Sequence, residues 1–423
     1  MLKVTNENYC CTVIKVHNLI KLEGLDNLMG VSCFGQLALV SKDIQVGQLV
    51  LFFGPQTKLS DDFCSNNDLY RKVEKNKNGK TGFFDKNVVK PLKLRGHVST
   101  GFVAPTSHLQ YLGFDFNELK EGDVFNEING TEVCTKYVVR TNEPRKGGQK
   151  QVKADTRIDT KLMPEHVDTA HYLKHDRNID DETNIIVSQK LHSTSARFAH
   201  QLCKRKLTWM EKIAKFFGCK VQEWEYDYFA GSRRVIKDIN KDNQHFYKND
   251  VWNAELEKIK HVIPKGWQIF GEILGWDGDK ELQKNYTYNI PQGETRFYVY
   301  RIAVVNPDGF SVDLSWDMVK KFCNDNGLNY CPELYRGPKG KFNSFDYMDK
   351  RFYDMGLRNC VPMLKEKWMH GKDELDLVDE GVVVRVDDDY TPHFYKHKAP
   401  LFLLHENVYI DQSIVDIETQ ESE

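Results

Sequence analysis

No Cys-x-x-Cys pair occurs among the ten cysteines of this 423-residue chain. That argues against a structural zinc site, whose ligands come in such pairs. Scattered thiols instead suit a reducing, cytoplasmic setting. No apolar run approaches the roughly 18 residues that a membrane-spanning helix needs, so no membrane partner is expected. The first residues lack the basic-then-apolar signature of a secretory leader. Neither sign of charge dominates: 59 Lys and Arg face 61 Asp and Glu, a net charge of −2. A nucleic-acid partner would need a local basic face, since the overall charge attracts none. Internal repeats are absent as well. What is present is a globular composition, 28% charged, with enough chain for two or three domains.

The pattern changes near residue 155. Before it, short strand-like runs such as YCCTVIKVHNL, QLVLFFG and VSTGFVAP alternate with Gly, Asn, Asp and Pro. That predicts a small β-barrel or sandwich over residues 1–155. Lys93 and Arg95, inside 90–96, read as a solvated strand edge or a nucleic-acid-facing surface. Residues 142–156, NEPRKGGQKQVKADT, hold no hydrophobic period and read as a linker or exposed loop. Beyond it, residues 156–423 read as a mixed domain of strands and helices. A helix is expected over 163–176. A second is expected over 207–218, where Trp209, Ile213 and Phe216–Phe217 recur at helical spacing and Gly218 stops it. Its apolar stripe is expected to be core. Lys204, Arg205, Lys206, Lys212 and Lys215 around it suit a solvated face or a phosphate contact. A helix over SWDMVKKFCNDNG is expected too.

Five segments of this second part carry chemistry in one order: VSQKLHSTSARF (187–198), GSRRV (231–235), QIFGEILG (268–275), FYVYRI (297–302), then EGVVVR (380–385) with FYKHK (394–398). Lys190 is the candidate nucleophile. A lysine amine has a reference pKa of about 10.4 and needs burial or neighbouring cations to free its lone pair. Lys396 and Lys398 share one strand face and can supply those cations. Glu380 begins a β-branched run, and its carboxylate can hold a divalent cation. Glu272 follows a glycine, which would let a ribose approach the backbone. Tyr300 or Phe297 can stack a purine, and Arg233 can reach ribose or phosphate. Alone, each of these reads as a surface charge or a packed aromatic. Together, in one order within one domain, they describe a pocket for a covalently held nucleotide.

This set resembles the covalent nucleotidyltransferase superfamily of ATP-dependent ligases and capping enzymes. KLHSTSAR, with His192 two residues after the lysine, is similar to RNA ligases rather than DNA ligases or capping enzymes. The resemblance implies an α+β chain with an N-terminal OB-like β-barrel followed by an adenylation domain. It implies ATP and Mg²⁺ (or Mn²⁺) as cofactors and a lysyl-AMP at Lys190. Arg233, Glu272 and Tyr300 would hold the nucleotide together with Gln189 and Glu380, and Glu380 would also hold metal. Lys396 and Lys398 would face the α-phosphate. His192 would serve later steps or hold the turn, and Thr194 or Ser195 would contact phosphate or cap it. One departure stands out: Ser193 occupies the place of the usual glycine. Arg301 stands where some relatives have aspartate and is given no role. Only a short tail follows Lys398, too short for a C-terminal OB barrel, so the resemblance points to the RNA ligase branch with the barrel in front. That branch seals 3′-OH/5′-phosphate nicks in RNA-containing duplexes, here expected of a monomer. The other readings are a DNA ligase, a capping-type guanylyltransferase, or a non-catalytic OB-type RNA-binding protein.

Overall fold

The computed structural model describes residues 1–138, 155, 157–238, 247–283, 286–346, 379–387, 391–400, 402–404 and 406. The linker read over 142–156 lies outside them apart from Asp155. The chain forms two compact units, each mixing strands with short helices. One takes Met1–Val139, Ala170–Asp176 and Pro400–Ile414; the other takes Arg140–Thr169, Arg177–Ala399 and Val415–Glu423. No helix among the described residues is long and apolar enough to cross a membrane.

The first unit is rich in short strands. Its largest sheet is antiparallel, in the order Phe102–Pro105, Leu49–Phe53, Cys11–Lys15, Val124–Phe125. Alternate residues point to opposite faces, and both faces are covered. Cys11, Val13, Leu51 and Phe53 enter one apolar cluster, while Ile14, Val50, Phe52 and Val103 enter another. Burial on both sides explains why LVLFF is an unbroken apolar run rather than an alternating one. The other strands pair in separate sheets of two or three, and the described pairing does not close into one barrel. Lys93 and Arg95 lie on a small hairpin of Leu92–Leu94 with His97–Ser99, where Arg95 donates to the Gly24 carbonyl at 2.7 Å.

Two antiparallel sheets build the second unit. In the first, Glu333–Pro338, Asn184–Lys190, Gly381–Val386 and His393–Lys398 lie side by side in that order. In the other, Trp224–Gly231, Thr194–Lys204, Trp267–Asp277, Thr295–Val305 and Ser311–Asp313 follow one another. The chain crosses from the first sheet to the second through Leu191, His192 and Ser193, immediately after Lys190. Two helices pack on the central core. Val251–Ile259, capped by Asp250, buries Trp252, Leu256 and Ile259. Trp316–Asp325, capped by Ser315, buries Trp316, Val319 and Cys323. Both stripes follow helical spacing, and each large side chain removed from water contributes about 1.5–3 kcal/mol.

Two expectations need correction. The helix expected over 163–176 is confined to the single turn Tyr172–His175. Upstream, sheet side chains claim the backbone carbonyls a helix would use: Arg197 Nη1 donates to Met163 O at 2.6 Å and Gln268 Nε2 to Pro164 O at 2.9 Å. The helix expected over 207–218 does form, as Trp209–Phe216, with a Thr208–Glu211 capping box. Its stripe is not core, however: none of its residues is buried, and Trp209, Met210 and Phe216 are 75%, 74% and 85% exposed.

Candidate active site

Strand register sets the charged end of the site. Lys190 pairs with Gly381, and Gly381 pairs in turn with Lys398, so the two lysines flank one position on adjacent strands. Glu380 immediately precedes that position. Its carboxylate accepts from Lys190 Nζ at 2.8 Å on one oxygen and sits 3.2 Å from Lys398 Nζ on the other. His192 Nδ1 lies 3.6 Å from the first oxygen. Glu380 is only 1% exposed. Burial alone would raise its carboxyl, but Lys190 and Lys398, helped by His192, hold it well below the usual carboxylate range. Gly381 is needed at this spot: its φ is +150° and a Cβ there would meet the His397 carbonyl at 2.0 Å. Lys396 shares the face of Lys398 and pairs with Val383 in register.

The turn after Lys190 does not need a glycine. Ser193 keeps a negative φ, unlike the residues that take left-handed backbone. It is buried, and its hydroxyl donates to the Ile273 carbonyl. The His192 N–H donates to the Tyr288 hydroxyl at 2.7 Å, and the His192 ring stands edge-on to Tyr286. Thr194 is pinned to the Tyr247 hydroxyl.

The second sheet supplies the opposite wall. Ser195 pairs with Glu272 across the strands, and its hydroxyl donates to the Glu272 carboxylate at 3.1 Å. The glycine before Glu272 serves packing rather than ligand approach. It sits at a bulge opposite Thr295–Val305, where a Cβ would meet the Tyr298 carbonyl at 2.2 Å and the Phe297 ring at 2.6 Å. Phe297, one of the two candidate stacking residues, packs into the core on Phe198 at 4.8 Å between centroids. Tyr300 instead faces an open cleft, where its hydroxyl meets His166 Nδ1. Lys190, Gln189, Ser195, Glu272 and Arg233 line the same cleft.

Several partners escaped the sequence reading. Arg197 is buried and grips the carbonyls of Ser232 and Arg234 at 3.0 Å each, which orients Arg233 between them. Arg233 donates to Asp168 at 2.6 Å. Burial would raise the Asp168 carboxyl, but Arg233, with Lys396 and Arg234 beyond it, holds it below its ordinary value. Gln189 donates to Asp379 at 3.0 Å, and burial pushes that carboxyl up to about 7. Arg301, given no role from sequence, is buried in the cleft wall against Phe270 at 4.3 Å and pairs with Asp313. The sequence signal for these residues was slight: a second acid before Glu380 and charged residues inside apolar strands.

No group of three or more His, Cys, Asp or Glu side chains gathers as a metal cage among the described residues. Both oxygens of Glu380 are engaged by lysine amines, so a divalent cation there would have to displace one of them and draw its other ligands from water and a nucleotide's phosphates, the habit of Mg²⁺.

Residues 183–399 match a family model described as RNA ligase. No curated protein matches the chain. Among solved structures, Naegleria gruberi RNA ligase with PPi is 15% identical with a TM-score of 0.59, over 96% of this chain and 100% of that one. An arginine-to-alanine mutant of the same ligase with ATP and Mn is 16% identical at TM-score 0.58, over 95% and 99%. A lysine-to-methionine mutant with AMP and Mn is 16% identical at TM-score 0.56, over 95% and 98%. At such identities the likeness establishes a shared fold.

Proposed function

Because the chain belongs to the RNA ligase family, we propose that it is an ATP-dependent ligase that seals 3′-OH/5′-phosphate nicks in RNA-containing duplexes through a lysyl-AMP intermediate. The observation that carries this reading is the buried Glu380 carboxylate between Lys190 and Lys398, with Lys190 itself lining the cleft that Tyr300, Glu272 and Arg233 share. The amine of Lys190, once it has lost a proton, attacks the α-phosphorus of ATP. The N–P bond forms as the bond to the bridging oxygen breaks and pyrophosphate leaves. Lys396 and Lys398 offset the charge that develops on the phosphate. The adenylate then passes to the 5′-phosphate of the nick, restoring Lys190. The 3′-hydroxyl finally attacks that phosphate, sealing the strand and releasing AMP. A divalent cation at Glu380 would supply further charge neutralisation at the phosphates. Chemistry of this kind depends on position and charge, which buried strand register supplies.

In this reading Gln189, Arg233, Glu272 and Tyr300 hold the nucleotide, and His192 acts beside Glu380 or steadies the turn. Residues 1–155 act as an OB-like clamp on the duplex, and 156–423 as the adenylation domain. The enzyme works as a monomer in a reducing, cytoplasmic compartment. Incubation with α-labelled ATP and magnesium, followed by denaturing electrophoresis, tests it. Wild-type protein should take up label from ATP and not from GTP. Lys190→Ala should take up none, while sealing of a pre-adenylated nick partly survives. A Lys190→Ala protein that labels normally would falsify the assignment of the nucleophile. Nicks with RNA or DNA on the 3′-OH side then decide the polynucleotide.

A further inference from the structure

Arg301 and Arg385 are both buried in the wall of the cleft, with side chains 6% and 4% exposed. Most of each guanidinium is committed. Arg301 donates from Nε and Nη2 to the two oxygens of Asp313. Arg385 donates from Nε to Asp387 and from Nη2 to the Leu314 carbonyl at 2.6 Å. In both, Nη1 is buried and has no hydrogen-bond partner among the described residues. A guanidinium cannot lose its proton to escape this, and a buried donor without an acceptor is costly. Two such donors, on side chains that line one cleft, point to an acceptor that arrives with a ligand.

Their place along the sheet says which part of a ligand. Arg385 is the register partner of Ile186, two pleats back from Lys190 on the same strand. Ile186, Ser188 and Lys190 all line the cleft. At the rise of a β-strand this separates Arg385 from the lysine's position by about 13 Å, comparable to the length of an extended nucleoside monophosphate. Arg301 lies across the neighbouring strand from Phe270, two residues before Glu272. With the α-phosphate at Lys190 and the sugar beside Glu272, the base would reach the end where both arginines lie. Phe270 lies under the Arg301 guanidinium and Phe394 beside that of Arg385, at 4.3 and 5.3 Å, which fixes both planes.

We propose that Arg301 and Arg385 read the nucleotide base, each Nη1–H donating to a ring nitrogen of adenine. This rests on the ATP-dependent reading above. The exocyclic amino group of adenine is itself a donor and cannot serve; N1, N3 and N7 can. The arginines are therefore specificity determinants and take no part in bond making.

The test compares ATP with its 1-deaza, 3-deaza and 7-deaza analogues, in which one ring acceptor is replaced by C–H. Binding to the full-length protein is measured by competition against α-labelled ATP in the self-labelling reaction. At least one analogue should bind about ten-fold or more weakly than ATP, the effect of losing a hydrogen bond to a charged donor. Arg301→Lys or Arg385→Lys, which keeps charge but removes the fork, should bind ATP more weakly and lose most of the discrimination against that analogue. All four nucleotides competing alike would overturn the arginine assignment while leaving the ligase reading intact. Discrimination that persists in both lysine variants would overturn it as well. A protein that takes no label from ATP overturns both readings. If the variants fail to fold, the wild-type comparison alone decides.

Discussion

Two stretches of the second unit look alike on paper and meet opposite fates. RFYVYRIAVV, within Thr295–Val305, and LTWMEKIAKFF, around Trp209–Phe216, both combine large apolar residues with basic ones. In the strand, Phe297, Val299, Ile302 and Ala303 are core, and even Arg301 is buried. In the helix nothing is buried. The helix is nonetheless well formed, with a capping box at its start and a left-handed Gly218 (φ +79°) after its end. It lies within residues 205–223, which join two antiparallel neighbours, Thr194–Lys204 and Trp224–Gly231. A tight turn of a few residues could make that join. Local sequence thus decides that an element forms; whether its apolar face is covered depends on what the rest of the chain places opposite.

The comparison breaks most easily in the strand. Phe297→Ala should destabilise the protein by roughly 3–5 kcal/mol, because it empties a site between the bulge at Gly271 and Phe198. Denaturant unfolding would measure it, and a loss below about 1 kcal/mol would mean that the core had closed over the gap. Titration separates buried from exposed elements next. His397, between Lys396 and Lys398 but facing the other way, bonds Ser344 at 2.8 Å, and burial pushes its pKa down to about 3. The unfolded imidazole takes up its proton near pH 6.5, and the folded one resists it. The stability this group contributes is therefore complete above about pH 6.5 and drains away toward pH 3. His397→Gln should remove that part of the slope, visible as a flatter dependence of the urea midpoint on pH. The smallest effect is expected in the helix. Trp209→Ala and Phe216→Ala should each change unfolding free energy by less than about 0.5 kcal/mol. A larger loss would show that the stripe is covered in solution.

Much of the fold around the cleft was legible because a β-branched run such as VVV specifies a strand, and because Lys190, Glu380 and Lys398 come in an order that pairing then aligns. Reasons were harder to read than residues. The glycine before Glu272 seemed made for a ligand and instead admits a neighbouring strand. Ser193 read only as a departure from the usual glycine, and it anchors the turn through its hydroxyl. Arg197, Asp168 and Asp379 act only through partners distant in sequence, which no local pattern announces. Arg301 reads as one more charge in an apolar strand until its burial is known. The stripe of Trp209–Phe216 was misread because periodicity reports which residues share a face and is silent about what lies across from it.

The pairing of Gly381–Val386 between its two neighbours has a consequence for how this protein can vary. Side chains along that strand alternate between cleft and interior, so losing or gaining one residue between Glu380 and Arg385 would swap every later face. Arg385 would turn away from the pocket and an interior valine would turn toward it. Exchanging one amino acid for another leaves the remaining faces in place, whereas a single-codon deletion would turn one end of the pocket inside out.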